Sequence, residues 1–271
     1  MSYKVSFDFG GSSTKVVCLF NNDVVHKSIV EANDKEESFV KAVESLKKNT
    51  NINIDAIDVI NITGAGESFF ENEFNGYRLN HIQEFGATCS GALYLADIEE
   101  AIVVSMGTGT AFYKATQEGA NHIIGTGVGG GTLCGLSTLL FNDNSVDKID
   151  DLAMQGLPKN VDLTIGDISN GDMPGLPVDL TAANFGKTES SSDKCDVAAG
   201  LFNMVFQTIG TMTVMAMKNT GIRDVLLTGH VSTLKNCMRV LGEFNNFYGT
   251  NIIVPDNSTY ATAIGACLLG E

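Results

Sequence analysis

Tryptophan is absent from the chain and proline occurs only four times; neither shortage says anything about function. The shortage of positive charge says more. Seventeen lysines and arginines stand against 32 aspartates and glutamates, a formal net charge of −15. Such a surface repels nucleic acid and anionic membranes, so neither is expected as a partner. An anionic substrate would have to be held by local donors. The six cysteines (18, 89, 134, 195, 237, 267) and four histidines (26, 81, 122, 230) are scattered without C-x-x-C or finger-like spacing. That excludes a disulfide frame and a zinc site, and fits reduced thiols in the cytoplasm. No apolar run reads as a membrane span, and the start, Met1-Ser2-Tyr3-Lys4, opens no signal-peptide core, so a cytoplasmic protein is expected. What remains is a chain of 271 residues with 44% hydrophobic content, enough for a sizeable core in one large domain or two ordinary ones.

The stretch Val5-Ser6-Phe7-Asp8-Phe9-Gly10-Gly11-Ser12-Ser13-Thr14-Lys15 reads as a strand, a tight turn and the start of a second strand. Gly10 and Gly11 carry no Cβ, so backbone N–H groups can approach an anion there. Asp8 beside that anion makes sense if a Mg²⁺ lies between carboxylate and phosphates. Lys15 adds a positive charge. Taken alone, an ordinary hairpin with a Gly/Ser turn would explain the same residues.

Along the chain, 3–9, 15–20 and 23–30 read as consecutive strands, and 35–48 as an amphipathic helix with apolar residues at 39, 42, 43 and 46. A β-branched strand, 57–62, ends in Thr63-Gly64-Ala65-Gly66. A short helix over 67–75, a short strand over 77–82 and a small-residue helix over 85–95 follow. Then the pattern restarts. Strands are expected over 101–106, 111–115 and 121–124, and Asp8-Phe9-Gly10-Gly11-Ser12-Ser13 aligns with Ser105-Met106-Gly107-Thr108-Gly109-Thr110. This is an internal repeat at a spacing of roughly a hundred residues; two such lobes face to face would put both turns in one cleft. The glycine block from Gly125 to Thr132 precedes an apolar helix over 133–141. Open N–H groups and a helix dipole there would form an anion site, although no Gly-Lys-Ser/Thr follows, so this is not a Walker A loop. Helices are expected over 146–155, 195–219, 232–243 and 260–269, strands over 224–227 and 251–254, and a loop over 171–177. The helix over 195–219 is apolar nearly all round, so it must be buried in the core or against a second subunit.

The order of hairpin, second hairpin, glycine block and late strand ending in Gly229 resembles the actin-like ATPase superfamily. Within it, the chain is similar to the type II pantothenate kinases. The resemblance rests on Asp8-Phe9-Gly10-Gly11-Ser12-Ser13-Thr14-Lys15, Glu84-Phe85-Gly86-Ala87, Gly107-Thr108-Gly109-Thr110, Gly129-Gly130-Gly131, and Asp179-Leu180-Thr181-Ala182-Ala183-Asn184-Phe185-Gly186. It spans the whole chain. It implies an α/β, ribonuclease H-like fold of two duplicated βββαβα lobes around a nucleotide cleft. The lobes would be 1–97, joined by a C-terminal helix at 260–271, and 98–259. It implies ATP- and Mg²⁺-dependent phosphorylation of pantothenate, the first step of coenzyme A synthesis, by a homodimer. By position, Asp8 would hold the metal. Asp8 to Lys15, including Phe9 and Thr14, would cradle the nucleotide phosphates with Thr108. Gly130, Gly131, Thr132, Leu133, Cys134, Val146, Gly229 and His230 would border ATP. Gly107, His122 and Gly125 would meet the acceptor, and Glu84 would be the general base. Two residues depart from the family pattern: Ser12 replaces a threonine, and His122 stands where the family has an arginine for the acceptor carboxylate. A neutral imidazole cannot make the bidentate contact of arginine. A kinase of the same fold acting on an N-acetylhexosamine or other small hydroxyl compound, and a nucleotide-binding regulatory ATPase, are therefore the alternatives.

Overall fold

A computed structural model describes residues 3–31, 34–49, 57–169 and 177–270. The loop expected over 171–177 lies outside these apart from Pro177. Strands β1 (Tyr3–Phe9), β2 (Ser13–Phe20) and β3 (Asp23–Glu31) form an antiparallel meander, and α1 (Lys35–Asn49) carries the chain over the sheet to β4 (Val59–Thr63). A 3₁₀ turn at Glu67–Phe69 leads to β5 (Glu73–Phe74) and β6 (Tyr77–His81). The sheet order is β3-β2-β1-β4-β6-β5, with β4 parallel to β1 and β6. Then come α2 (Glu84–Ala96) and a second meander, β7 (Glu100–Met106), β8 (Thr110–Thr116) and β9 (Gly119–Thr126). A helical insertion follows: α3 (Gly130–Phe141), α4 (Val146–Ala153), the small pair β10 (Leu163–Thr164) and β11 (Thr181–Ala183) around α5 (Ile165–Ile168), and α6 (Lys194–Thr220). The chain ends with β12 (Asp224–Thr228), α7 (Lys235–Tyr248), β13 (Asn251–Ile253) and α8 (Ala261–Leu269). The second sheet runs β13-β12-β7-β8-β9, the same topology as the core of the first.

The repeat is therefore structural. Asp8 pairs with Thr63 and, at the matching place in the second sheet, Ser105 pairs with Thr228. Each partner strand is followed by a glycine at nearly the same left-handed φ, +88° at Gly64 and +87° at Gly229. A Cβ at Gly64 would lie 2.5 Å from Asp8 Oδ1, and one at Gly229 would lie 2.3 Å from Met106 O, so only glycine lets the chain turn away this close to the neighbouring strand.

Strands buried on both faces explain the apolar runs. Phe7 and Phe9 of β1 pack under α1 with Phe39 and Phe70, ring centroids 4.7 to 6.4 Å apart. On the opposite face, Val17 and Leu19 meet Ala263, Ile264 and Cys267 of α8. The second sheet places Ile102, Val104, Met106 and Phe112 against α6, and Ala101, Val103, Tyr113 and Ala115 against α2. So each half of the chain lends a helix: α2 lies on the second sheet and α8 on the first. The two helices cross where a Cβ on Gly91 would stand 1.9 Å from Ala261 O and one on Gly265 1.8 Å from Ala87 O. Thr88 and Thr262 join hydroxyls at the same crossing, 2.9 Å apart.

Three expectations need correction. The segment 67–75 holds one 3₁₀ turn and then the β5–β6 hairpin; Asn75 and Gly76 both take positive φ, 51° and 80°, the geometry of a two-residue hairpin turn. The helix expected over 232–243 is preceded by a 3₁₀ turn at His230–Thr233 and starts, as α7, only at Lys235. The buried Asp150 carboxylate fixes that start by accepting from Lys235 N at 2.7 Å and Asn236 N at 3.1 Å. Finally, α6 is long and apolar enough to cross a membrane by length and composition, contrary to the reading that no run is. Two-thirds of its apolar window (67%) is nevertheless buried inside the molecule, and Phe202, Val205, Phe206 and Ile209 form the centre of the largest core cluster.

Candidate active site

The carboxyl ends of β1 and β4 and the first turn of α2 bring three carboxylates into one region. Asp8 is 7% exposed. Burial pushes its carboxyl up, while the charges of Lys15 and Lys35 pull it back. Lys15 lies directly across the strand pair from Asp8. Lys35, at the start of α1, reaches the hairpin tip and donates to Gly10 O at 2.6 Å. Glu84 is half-buried at the first position of α2, whose first turn is capped by Gln83 accepting from Gly86 N at 2.6 Å. Its carboxyl is raised by burial and then by the negative charges of Asp8 and Glu67, with Lys15 opposing. The structure thus joins Glu84 to Asp8 and Lys15, from which it is distant in sequence, and adds Lys35 and Glu67, which sequence reading did not single out. The Lys35 signal was present only as a lysine in the first helical turn, where the dipole disfavours it.

Across the gap, the two Gly-rich turns touch. A Cβ on Gly11 would stand 2.9 Å from Thr108 Oγ1; Ser12 and Thr108 are exposed and Ser13 half-buried. The glycine block does not offer the open N–H cradle expected of it. Gly130 N donates to Gly107 O and Gly131 N to Thr108 O, both at 2.8 Å. Thr132 Oγ1 donates to Gly127 O at 3.0 Å and accepts from Gly129 N at 3.2 Å. These glycines let the second hairpin's backbone lie against the helix start, because a Cβ at Gly129 or Gly130 would come within 2.8 Å of it. The helix end binds its own hairpin, and its dipole still points toward the cleft.

Other expected residues fall in distinct places. The side chains of Phe9 and Leu133 are fully buried in the core, so neither is open to a ligand. Thr14 is buried, with a hydroxyl that has no partner. Val146 packs against the large core at the start of α4, and Cys134 is half-buried on α3. His230 lies on the outer rim, its Nε2 3.2 Å from Asp147, next to Gly229 and near the glycine block through Val231. His122 and Gly125 sit on β9, both exposed. The His122 ring stacks on Phe85 at 5.9 Å and meets Tyr113 at 5.6 Å, and Phe85 and Tyr113 are 5.1 Å apart. Burial, with the Glu84 charge next, pushes the Tyr113 phenol upward. An aromatic wall therefore adjoins Glu84, a feature invisible in the sequence because its members come from α2, β8 and β9.

The Asp179–Gly186 block is not in this region. Asp162, wholly buried, accepts from Phe185 N and Asn203 Nδ2, each at 2.7 Å, and Asn203 and Gln207 donate to Thr181 Oγ1. The block clasps the insertion onto α6.

Among the described residues no group of three or more His, Cys, Asp or Glu could hold a metal alone. The buried carboxylate of Asp8 at the base of the Gly10-Gly11 turn fits Mg²⁺, which takes one or two carboxylates and leaves the rest to phosphates and water.

The Fumble family profile matches residues 31–269. The chain is 28% identical over 280 residues to a type II pantothenate kinase of Bacillus cereus (strain G9842), covering 99% of this chain and 98% of that protein. It is 30% identical over 277 residues to the type II pantothenate kinase of Oceanobacillus iheyensis, covering 98% of each. Among solved structures, it resembles the activator of the 2-hydroxyisocaproyl-CoA dehydratase from Clostridium difficile with bound ADPNP, with a TM-score of 0.71 at 19% identity over 98% of this chain and 93% of that one. That likeness shows the fold, an actin-like ATPase.

Proposed function

The chain belongs to the Fumble family, and on that premise we propose the chemistry of its site. The chain phosphorylates pantothenate with ATP, forming 4′-phosphopantothenate in coenzyme A biosynthesis. The observation that carries this reading is the match to type II pantothenate kinases over nearly the full length of both chains.

In phosphoryl transfer the protein acts mainly by positioning and charge neutralisation. The β1–β2 turn and Thr108 would receive the β- and γ-phosphates, with Lys15 and Lys35 as the nearby cations. Asp8 would hold Mg²⁺, which when bound neutralises phosphate charge. Glu84 would accept the proton of the acceptor's primary hydroxyl as that oxygen attacks. Its position in the first turn of α2 supports this, because the helix dipole favours the ionised carboxylate that a base requires. Phe85, Tyr113 and His122 would wall the acceptor. Gly229, His230 and the start of α3 would flank the rest of the nucleotide. We also propose a cytoplasmic homodimer, supported by six unpaired cysteines and by Leu139, 81% exposed on α3. The two sheets, the first with α8 and the second with α2, would mark two moving lobes, with the α2–α8 crossing as the seam.

The test is mass detection of phosphorylated product from ATP, Mg²⁺ and pantothenate, beside a panel of N-acetylhexosamines and sugars. Product from pantothenate alone is the expected result. Product from a sugar in its place would overturn the assignment.

A further inference from the structure

Glu67 sits in the 3₁₀ turn that follows the Thr63-Gly64-Ala65-Gly66 loop, immediately beyond the strand that pairs with Asp8. Its Oε2 is buried and has no hydrogen-bond partner. The His81 imidazole stands opposite, its Nδ1 3.9 Å away, beyond hydrogen-bond distance. The side chain is 29% exposed, so the group is neither sealed in the core nor solvated like a surface glutamate. Burial raises its carboxyl, with His81 opposing, and its charge reaches Glu84. Lys15 and Lys35 act on Asp8, whereas Glu67 faces His81. The turn that carries it adjoins the Asp8 hairpin, where Gly66 N donates to Phe9 O and a Cβ on Gly66 would meet Lys35; a carboxylate there repels phosphate oxygens, so the partner it fits is a neutral donor. A buried carboxylate oxygen without a donor is costly, and native structures leave few of them. A hydroxyl of a bound molecule would supply the missing donor.

We propose that Glu67 is an acceptor-binding residue, its carboxylate accepting a hydrogen bond from a second hydroxyl on the molecule whose primary hydroxyl Glu84 deprotonates. The inference rests on the kinase reading above. It narrows the acceptor class to compounds with two hydroxyls close together, a description that pantothenate meets through its secondary hydroxyl. Glu67 and Glu84 would then grip the two oxygens of one diol, which fixes the hydroxyl that faces the phosphoryl group. Positioning of this kind is a large part of what a kinase contributes to rate.

The experiment is steady-state kinetics of the full chain, Glu67→Ala and Glu67→Gln, with pantothenate and with an analogue whose secondary hydroxyl is replaced by hydrogen. Wild-type turnover of pantothenate is measured first; its absence would fail the kinase reading itself. Given that turnover, Glu67→Ala raises KM for pantothenate about tenfold while KM for ATP stays within about twofold. Glu67→Gln, whose amide oxygen still accepts, loses about threefold. On the deoxy analogue wild type and Glu67→Ala behave alike, because the interaction is already gone. An unchanged KM for pantothenate overturns the proposal. So does a parallel rise in both KM values, or an equal loss on the deoxy analogue.

Discussion

At the scale of single residues, the site is a contest between burial and charge. Glu84 must be ionised to take a proton, yet burial, Asp8 and Glu67 all raise its carboxyl. The acid limb of kcat/KM should therefore lie above the ordinary glutamate range of about 4.3. Activity falls as pH drops through it, because the protonated form cannot act as base. Glu67→Gln removes one negative neighbour and moves that limb to lower pH. Glu84→Gln should reduce kcat by about 10²–10⁴, measured by coupled assay. The raised carboxyl also means that the folded state disfavours the charge, a cost that is present above the folded pKa and relieved as pH falls below it. Thermal melting of Glu84→Gln near neutral pH should thus occur at or above the wild-type temperature. Lys35 illustrates a different case. Its Nζ ties α1 to Gly10 O at the turn, so Lys35→Met should raise KM for ATP about three- to tenfold with KM for pantothenate little changed.

At the scale of elements, placement depends on a few buried joints. Asp150, 3% exposed, accepts from two backbone N–H groups of α7 and from Asn236 Nδ2 at 2.7 Å. Asp150→Ala leaves those donors unmet and should cost about 2–3 kcal/mol. In a chain of this size that is roughly 4–10 °C in Tm, read by calorimetry. The α2–α8 crossing is less forgiving. At Gly265 an added Cβ meets the Ala87 carbonyl, which no side-chain rotation can relieve. Gly265→Ala should destabilise by about 3 kcal/mol or more. It should also lower activity beyond the stability effect, since α2 carries Glu84 at its tip.

At the scale of the molecule, the duplication explains why the cleft exists. Two sheets of matching topology present the ends of β1 and β7 to each other, and the exchanged helices hold them in that relation. Large apolar side chains left on α3, with Leu139 81% and Leu140 47% exposed, are the surface that a second copy would cover. Light scattering should give twice the chain mass of 28.8 kDa, and Leu139→Glu should return it to that mass. A wild-type monomer would refute the dimer.

The sequence by itself determined the two strand–turn–strand units, their repetition and the family. Each of these rests on local periodicity, turn chemistry or contiguous motifs such as Asp8-Phe9-Gly10-Gly11 and Gly107-Thr108-Gly109-Thr110, which are properties of neighbouring residues. It also placed Asp8 and Lys15 in one hairpin and singled out Glu84. Only the tertiary structure decided that Glu84 shares their electrostatic field, that Lys35 and Glu67 join them, and that Phe85, Tyr113 and His122 form a wall. Such proximities arise from the packing of elements far apart in the chain. For the same reason the sequence misjudged one motif. The glycine N–H groups that looked open to an anion are bound by Gly107 O and Thr108 O. The sequence was silent on the place of the Asp179–Gly186 block, which Asp162 and Asn203 hold as a clasp on α6. A backbone donor's partner is set by what packs against it, and that is decided only when the chain has folded.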